Sequence, residues 1–359
     1  MDDYCGTLIH GGDVQGFFEC YGRAPLDFSI NVNPLGVPEG VRRSICAAAA
    51  GADRYPDPLC RNLRAAIARH EGVNPEQVFC AAGAAEIIYR LTSALKPRLA
   101  LISAPTFAEY ALALSRQGCA VERHLLKSED DFALTEAILP QLHPGIDILF
   151  LCNPNNPTGK LTAPALLAEI MRRCAAYNIR LVVDECFLGF APQPECQTLV
   201  PMLPQYQNLT LLKAFTKLYG MAGVRLGYCL SHDTALIQRL YEAGPPWHVS
   251  SLAQQAGIAA LKEQGYLEKS CALIANERPR LQAGLAALGL RVVPSEANFI
   301  LFFSPLPQLG EKLCQQGVLI RNCANFEGLG AGWHRVAVRT PQENDRLLLA
   351  IKKVTEGTP

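Results

Sequence analysis

The sequence predicts an α/β protein with a large unit, built on a mostly parallel central sheet covered by helices, and a smaller α+β unit. Three observations carry this expectation. From residue 77 to about residue 214, short continuously apolar segments alternate with segments whose apolar residues recur at helical spacing. Strands that are apolar at every position are buried on both faces, as in a parallel sheet with helices above and below. The alternation breaks at Gly244-Pro245-Pro246-Trp247, and a chain of 359 residues is long enough to divide its core in two.

Taken in order, residues 77–80, 99–103, 146–152, 180–183 and 209–213 read as strands, each bounded by Gly, Pro, Asn or Asp. Residues 84–95, 107–117 and 163–177 have helical spacing between them. After the break, residues 251–288 read as helical, 299–303, 318–321 and 335–338 as strands, and 342–354 as a closing helix. The expected division is a large unit over 41–245 and a small one over 246–359. In sheets of this kind ligands sit beyond the carboxyl ends of the strands. Gly83, Asn156, Asp184 and Lys217 all fall at such ends.

Composition excludes several classes of function. Lys+Arg and Asp+Glu balance at 33 each, which argues against a nucleic-acid partner while allowing a local basic pocket for a small anion. Hydrophobic residues make up 49%, yet no apolar run approaches the ~20 residues needed to cross a bilayer. No membrane association is expected. The start, Met1-Asp2-Asp3-Tyr4, is acidic and lacks the basic and apolar regions of a signal peptide, so the expected compartment is the cytoplasm. The 14 cysteines are scattered without a C-x-x-C pair, so no metal site is expected and the thiols read as small buried residues in a reducing compartment.

Chemistry concentrates in three stretches. Leu211-Leu212-Lys213-Ala214-Phe215-Thr216-Lys217 reads as a buried strand ending on a lysine, with Arg225 eight residues later. Burial and like charge both disfavour an ammonium, so Lys217 is a candidate for an amine that forms an imine. Upstream lie Asn153-Pro154-Asn155-Asn156-Pro157-Thr158-Gly159 and Val182-Val183-Asp184-Glu185. Together these suggest pyridoxal phosphate, which needs an imine lysine, a carboxylate at its ring nitrogen, a donor at its phenolic oxygen, a phosphate cup and a group against its ring.

The sequence offers each of these. Asp184 would face the ring nitrogen; an acid closing a strand is otherwise a cap, but this one precedes Lys217 by 33 residues and is followed by Glu185. Asn156 could donate to the phenolic oxygen, although alone it would read as a turn residue. Gly83, Ala84 and Ala85 form a small-residue turn opening a helix, whose free N–H groups suit an anion. Thr216 and Arg225 would complete that cup. Phe107 could stack on the ring, and would otherwise be core. Cys152 and Cys186 flank these residues.

On these motifs the chain resembles the fold-type I pyridoxal-phosphate enzymes of the class I/II aminotransferase family, over nearly its whole length. Four further stretches narrow the likeness: His10-Gly11-Gly12, Asp27-Phe28-Ser29-Ile30-Asn31-Val32-Asn33-Pro34-Leu35-Gly36, Ile320-Arg321-Asn322-Cys323-Ala324-Asn325-Phe326, and Arg335-Val336-Ala337-Val338-Arg339-Thr340. They resemble the threonine-phosphate decarboxylases of cobalamin synthesis, with the histidinol-phosphate aminotransferases as near relatives. The resemblance implies roles for Lys217, Asp184, Asn156, Phe107, Gly83, Ala84, Ala85, Thr216 and Arg225 at the cofactor. It gives Arg335 to the substrate carboxylate, Arg321 and His10 to a substrate phosphate, and Asn33 to substrate binding. It implies that segment 1–40 packs on the small unit and the active site. Tyr55 would reach the cofactor phosphate of a neighbouring subunit, which implies a homodimer.

Two departures from the wider aminotransferase pattern stand out. Phe187 occupies a position where relatives place a tyrosine, which favours decarboxylation, and Ala214 replaces a usual Ser or Thr. The implied reaction is decarboxylation of a small phosphorylated amino acid, L-threonine O-3-phosphate giving aminopropanol phosphate. The alternatives are a histidinol-phosphate-type aminotransferase, a serine-phosphate decarboxylase and a non-catalytic cofactor-binding regulator. One bond rotation separates decarboxylation from transamination, and one methyl separates the two phosphorylated amino acids.

Overall fold

The computed structural model describes residues 10–357; the acidic start and Cys5 lie outside the described residues. In chain order the first strands are β1 (Leu26–Asp27), β2 (Val78–Ala81), β3 (Leu99–Ala104), β4 (Ala120–Leu125), β5 (Ile148–Cys152), β6 (Arg180–Asp184), β7 (Leu209–Ala214) and β8 (Gly227–Ser231). Seven of them form one sheet in the order β2-β8-β7-β6-β5-β3-β4. Only β8 runs antiparallel to its neighbours; the other pairs are parallel. This is the expected α/β architecture.

Strand alternation divides the sheet's side chains between two helical layers. Leu149, Leu151, Leu181, Val183, Leu209 and Leu211 share one core with the helices Arg61–Glu71 and Pro164–Ala176. Ile148, Phe150, Val182 and Leu212 share the other with the helices Ala84–Leu95 and Glu109–Arg116. Two strands of the sheet are absent from the sequence expectation. β4 is an edge strand whose polar residues Glu122 and Arg123 are exposed, so no apolar run marks it. β8 is fully buried, but its Gly227-Tyr228-Cys229 start lacks β-branched residues.

The second sheet contains β9 (Arg291–Val292), β10 (Phe299–Phe303), β12 (Arg321–Asn322) and β13 (Trp333–Ala337), with β11 (Val318–Leu319) pairing in parallel with β1. Residues 318–321, expected as one strand, therefore divide between two partners. The expected helical stretch 251–288 is two helices, Ser251–Ala260 and Gln264–Ala287. The first buries Ala253, Ala256 and Ala260 with Val41 and Leu63 in the large unit's core. By packing it belongs with the large sheet, although it follows the sequence break. Ile274, Leu281 and Leu285 of the second helix join Ile300 and Phe302 in the small unit's core, and Phe28 joins them from the N-terminal segment.

The large sheet carries a buried ionic cluster on the face away from Asp184. Lys213 Nζ lies 2.8 Å from Glu71 Oε2 and 3.5 Å from Glu185 Oε2. Glu185 also accepts from the Thr198 hydroxyl and the Leu199 N–H at 2.7 and 2.8 Å, and the Tyr228 hydroxyl bonds Glu71. Removing the cation leaves two buried carboxylates uncompensated. Lys213→Met should therefore lower unfolding free energy by about 3 kcal/mol, as urea denaturation would measure.

Candidate active site

One cavity of about 430 Å³ opens beyond the carboxyl ends of β5, β6 and β7. Of the residues singled out from sequence, it gathers Lys217, Asp184, Asn156, Ala84, Ala85 and Phe107. Thr216, Arg225, His10, Arg321 and Arg335 line it as well. Three others lie elsewhere. Gly83 sits directly behind the wall, with φ 97°, and a Cβ there would stand 2.8 Å from Arg225 Nη2. Asn33 does not line the cavity: its amide donates to the Leu218 carbonyl at 2.7 Å and its Oδ1 accepts from Leu35 N–H at 3.0 Å. It braces the segment that carries Lys217. Tyr55 is 80% exposed and stacks at 4.6 Å on Trp247, away from this chain's own cavity.

Lys217 is not at a strand end. β7 stops at Ala214, and Lys217 stands in the single helical turn Phe215–Leu218. That turn swings the lysine back across the cavity floor, where its Nζ lies 5.6 Å from the centre of the Phe187 ring. Its amine is pushed down to about 8, by burial first and then by Arg335 and Arg225, with Asp184 opposing.

Asp184 ends β6 and is buried. Its Oδ2 accepts from the Tyr110 hydroxyl at 2.7 Å, and its Oδ1 from the Cys186 N–H at 2.9 Å. Tyr110 is stacked on Phe150 at 5.1 Å and meets Phe107 edge-on at 5.6 Å. Sequence reasoning missed Tyr110; its place three residues after Phe107, on one helical face, was the available signal. Burial raises the Tyr110 hydroxyl well above the usual range, and the Asp184 charge adds to this, so it stays a donor. Burial likewise raises the Cys152 and Cys186 thiols, again helped by Asp184. They are neutral and unsuited to nucleophilic attack.

The opposite end of the cavity is an anion cradle. The helix Ala84–Leu95 begins at Gly83 without a side-chain cap, so its first N–H groups face the space shared with Thr216 and Arg225. Ala214 contributes only a methyl to this wall. A phosphate fits this donor set, a pyridinium nitrogen fits Asp184, and a carbonyl carbon fits Lys217 with its lowered amine; the residues present suit pyridoxal phosphate.

A second cationic cluster lies on the smaller sheet. Arg321 of β12 and Arg335 of β13 are direct cross-strand partners and both line the cavity. Arg335 donates to Asn156 Oδ1 and, at 3.1 Å, to the Ser29 carbonyl, while its buried Nε has no partner. Burial lowers it to about 10. Arg321 donates to Asn325 Oδ1 at 2.9 Å and lies 5.4 Å over Phe326. Burial lowers it too. Glu109 was also not anticipated; it lines the cavity beside His10.

Fold and site define a class of protein with a cavity lined from both a large, mostly parallel sheet and a smaller C-terminal sheet. The family model "Aminotransferase class I and II" matches residues 23–351, and the chain belongs to that family of pyridoxal-phosphate-dependent enzymes. A threonine-phosphate decarboxylase of Salmonella typhimurium is 38% identical over 97% of this chain and 97% of its own. A histidinol-phosphate aminotransferase of Methanosarcina mazei is 31% identical over 96% and 93%. Among solved structures, the histidinol-phosphate aminotransferase of Clostridium acetobutylicum superposes with a TM-score of 0.86 at 28% identity, covering 92% of this chain and 99% of that one. Among the described residues, no helix is long and apolar enough to cross a membrane.

The lowered Lys217 gives a measurable consequence. Its neutral fraction grows as pH rises through about 8. Cofactor-free protein treated with a small aldehyde and cyanoborohydride should label the Lys217 peptide with a rate rising about tenfold per pH unit below that point and levelling above it. A midpoint near the ordinary lysine value of about 10.4 would contradict the assigned environment.

Proposed function

We propose that the protein decarboxylates L-threonine O-3-phosphate, releasing carbon dioxide and aminopropanol phosphate. The observation that carries this is the pair Arg321 and Arg335, side by side across two strands in a cavity that already has a separate anion cradle at Ala84, Ala85, Thr216 and Arg225. Three anion-binding positions suit a cofactor phosphate plus a substrate with two anionic ends. Threonine phosphate has both a carboxylate and a phosphate, and the Salmonella relative carries that substrate in its name.

In this reading Lys217 anchors pyridoxal phosphate, Asp184 faces its ring nitrogen, Asn156 its phenolic oxygen, and Phe107 its ring. Gly83 lets Arg225 close on the cradle. When bound, the cofactor supplies an electron sink for the bond that breaks at the substrate α-carbon. The chain's own residues decide which bond that is. Arg335, fixed by Asn156 and Ser29, takes the carboxylate; Arg321, fixed by Asn325, takes the phosphate with His10. Held at both ends, the substrate cannot turn about its α-carbon. Lys217, with an amine at about 8, can hold a proton and return it to the α-carbon near neutral pH. The likeness ties such a product to cobalamin assembly, and the exposed free thiols Cys20, Cys46 and Cys196 suit a cytoplasmic setting.

Purified protein incubated with threonine phosphate or serine phosphate should release carbon dioxide faster from the first, and with histidinol phosphate and a 2-oxo acid should transfer no amino group. A keto product in place of carbon dioxide would assign the aminotransferase reaction instead. Arg321→Ala should lower kcat/KM for threonine phosphate by about ten- to a hundredfold, the loss of a charge-assisted hydrogen bond, and leave unphosphorylated threonine nearly unaffected.

The proposed assembly is a homodimer completed in trans. Tyr55 is too exposed for a core residue and is propped on Trp247, itself exposed. Such a rigid aromatic pair suits a subunit contact. Light scattering should give a dimer, and Tyr55→Phe should weaken cofactor retention without dissociating it. A fully active monomer would refute this assembly.

A further inference from the structure

A carboxylate in a cavity lined by four cations needs a physical reason. Glu109 lines that cavity with its side chain only 14% exposed, and its Oε1 lies 2.5 Å from His10 Nε2. Its Oε2 accepts from the Tyr89 hydroxyl at 2.7 Å, a hydroxyl that burial and Glu109 together keep neutral. Both carboxylate oxygens thus have partners that are not the arginines.

His10 arrives at this contact on a flat strap. Gly12 N–H donates to Ser29 Oγ at 2.8 Å, and Ser29 is tied to Asp27 Oδ1 through both its N–H and its hydroxyl, each at 2.7 Å. A Cβ on Gly11 would stand 2.7 Å from the Ser29 carbonyl oxygen, so only glycine lets the strap lie this close. The strap is tethered to the small unit, where β1 pairs with β11. Glu109 begins a helix of the large unit. Their contact joins the two units at the cavity mouth, where the His10 side chain is 51% exposed and its ring lies 5.8 Å from that of Phe107.

We infer that Glu109 is a positioning residue that accepts from the His10 ring at Nε2–H, leaves the Nδ1–H of the same imidazolium to donate to the substrate's phosphate, and so sets selectivity for phosphorylated amino acids. The inference rests on the proposed phosphate position. Without Glu109 the half-exposed imidazole has no fixed orientation, and its contact with an anion must be made at the cost of ordering the strap.

The test is a double-mutant cycle on the holoenzyme, with threonine phosphate and unphosphorylated threonine as substrates. Glu109→Ala should raise KM for threonine phosphate about tenfold with kcat within about twofold and no change for threonine. Glu109→Gln keeps an acceptor for Nε2 and should recover most of the loss. In a His10→Ala background, Glu109→Ala should add nothing. Additive losses, equal losses on both substrates, or a lower KM in Glu109→Ala would overturn the inference. If Arg321→Ala is selective for the phosphorylated substrate while Glu109→Ala is not, the positioning role alone fails. If Arg321→Ala is itself unselective, the phosphate position fails, and the positioning role with it.

Discussion

Two consecutive carboxylates at the end of β6 organise the molecule around its cavity. A strand sends successive side chains to opposite faces, so Asp184 enters the cavity while Glu185 enters the layer behind it. Asp184 is held by the Tyr110 hydroxyl and the Cys186 N–H; Glu185 is held by Lys213, Thr198 and Leu199. Neither acid can be moved without moving the other. Through Lys213, the same cluster fixes the end of β7 against β6 and the helix Arg61–Glu71. The turn that carries Lys217 is therefore built on a strand end that is ionically locked from below.

The cavity above that lock is positive in a chain whose charges cancel. Lys217, Arg225, Arg321 and Arg335 line it with Asp184 and Glu109 as its carboxylates. Desolvating cations together is costly, and burial is the leading cause that lowers Lys217, Arg321 and Arg335, whereas Arg225 stays exposed. The protein offsets that cost with fixed acceptors, Asn156, Asn325 and the Ser29 carbonyl. Such preorganised cations are suited to anions that arrive with their own charge. The Lys217 amine feels the same field, because Arg335 and Arg225 also disfavour its protonated form.

Much of this was legible in residues. Segments 84–95 and 299–303 carry their helix and strand in periodicity alone, and the structure has those elements with the same bounds. Of the residues read as falling at strand ends, Asn156, Asp184 and Lys217 line a single cavity and Gly83 does not. Asn33 was misplaced because a residue in a loop motif gives no sign of which way its amide turns; here the Leu218 carbonyl claims it. Lys217 was placed on a strand because Leu211-Leu212 is apolar and Phe215 continues the pattern. Pairing with β8 ends at Ala214 opposite Gly227, and the chain coils beyond it.

By itself the sequence determined the layered α/β architecture, the family and most of the candidate side chains that line the cavity. These depend on local periodicity and on spacing along single strands and turns. Only the tertiary structure decided which groups hold those side chains. Tyr110 and Asp184 are 74 positions apart, and His10 and Glu109 are 99 apart. Arg321 and Arg335 face one another because of antiparallel register, not because of their spacing. A contact made across such separations leaves no periodic trace in the chain, since its geometry is fixed by how whole elements pack.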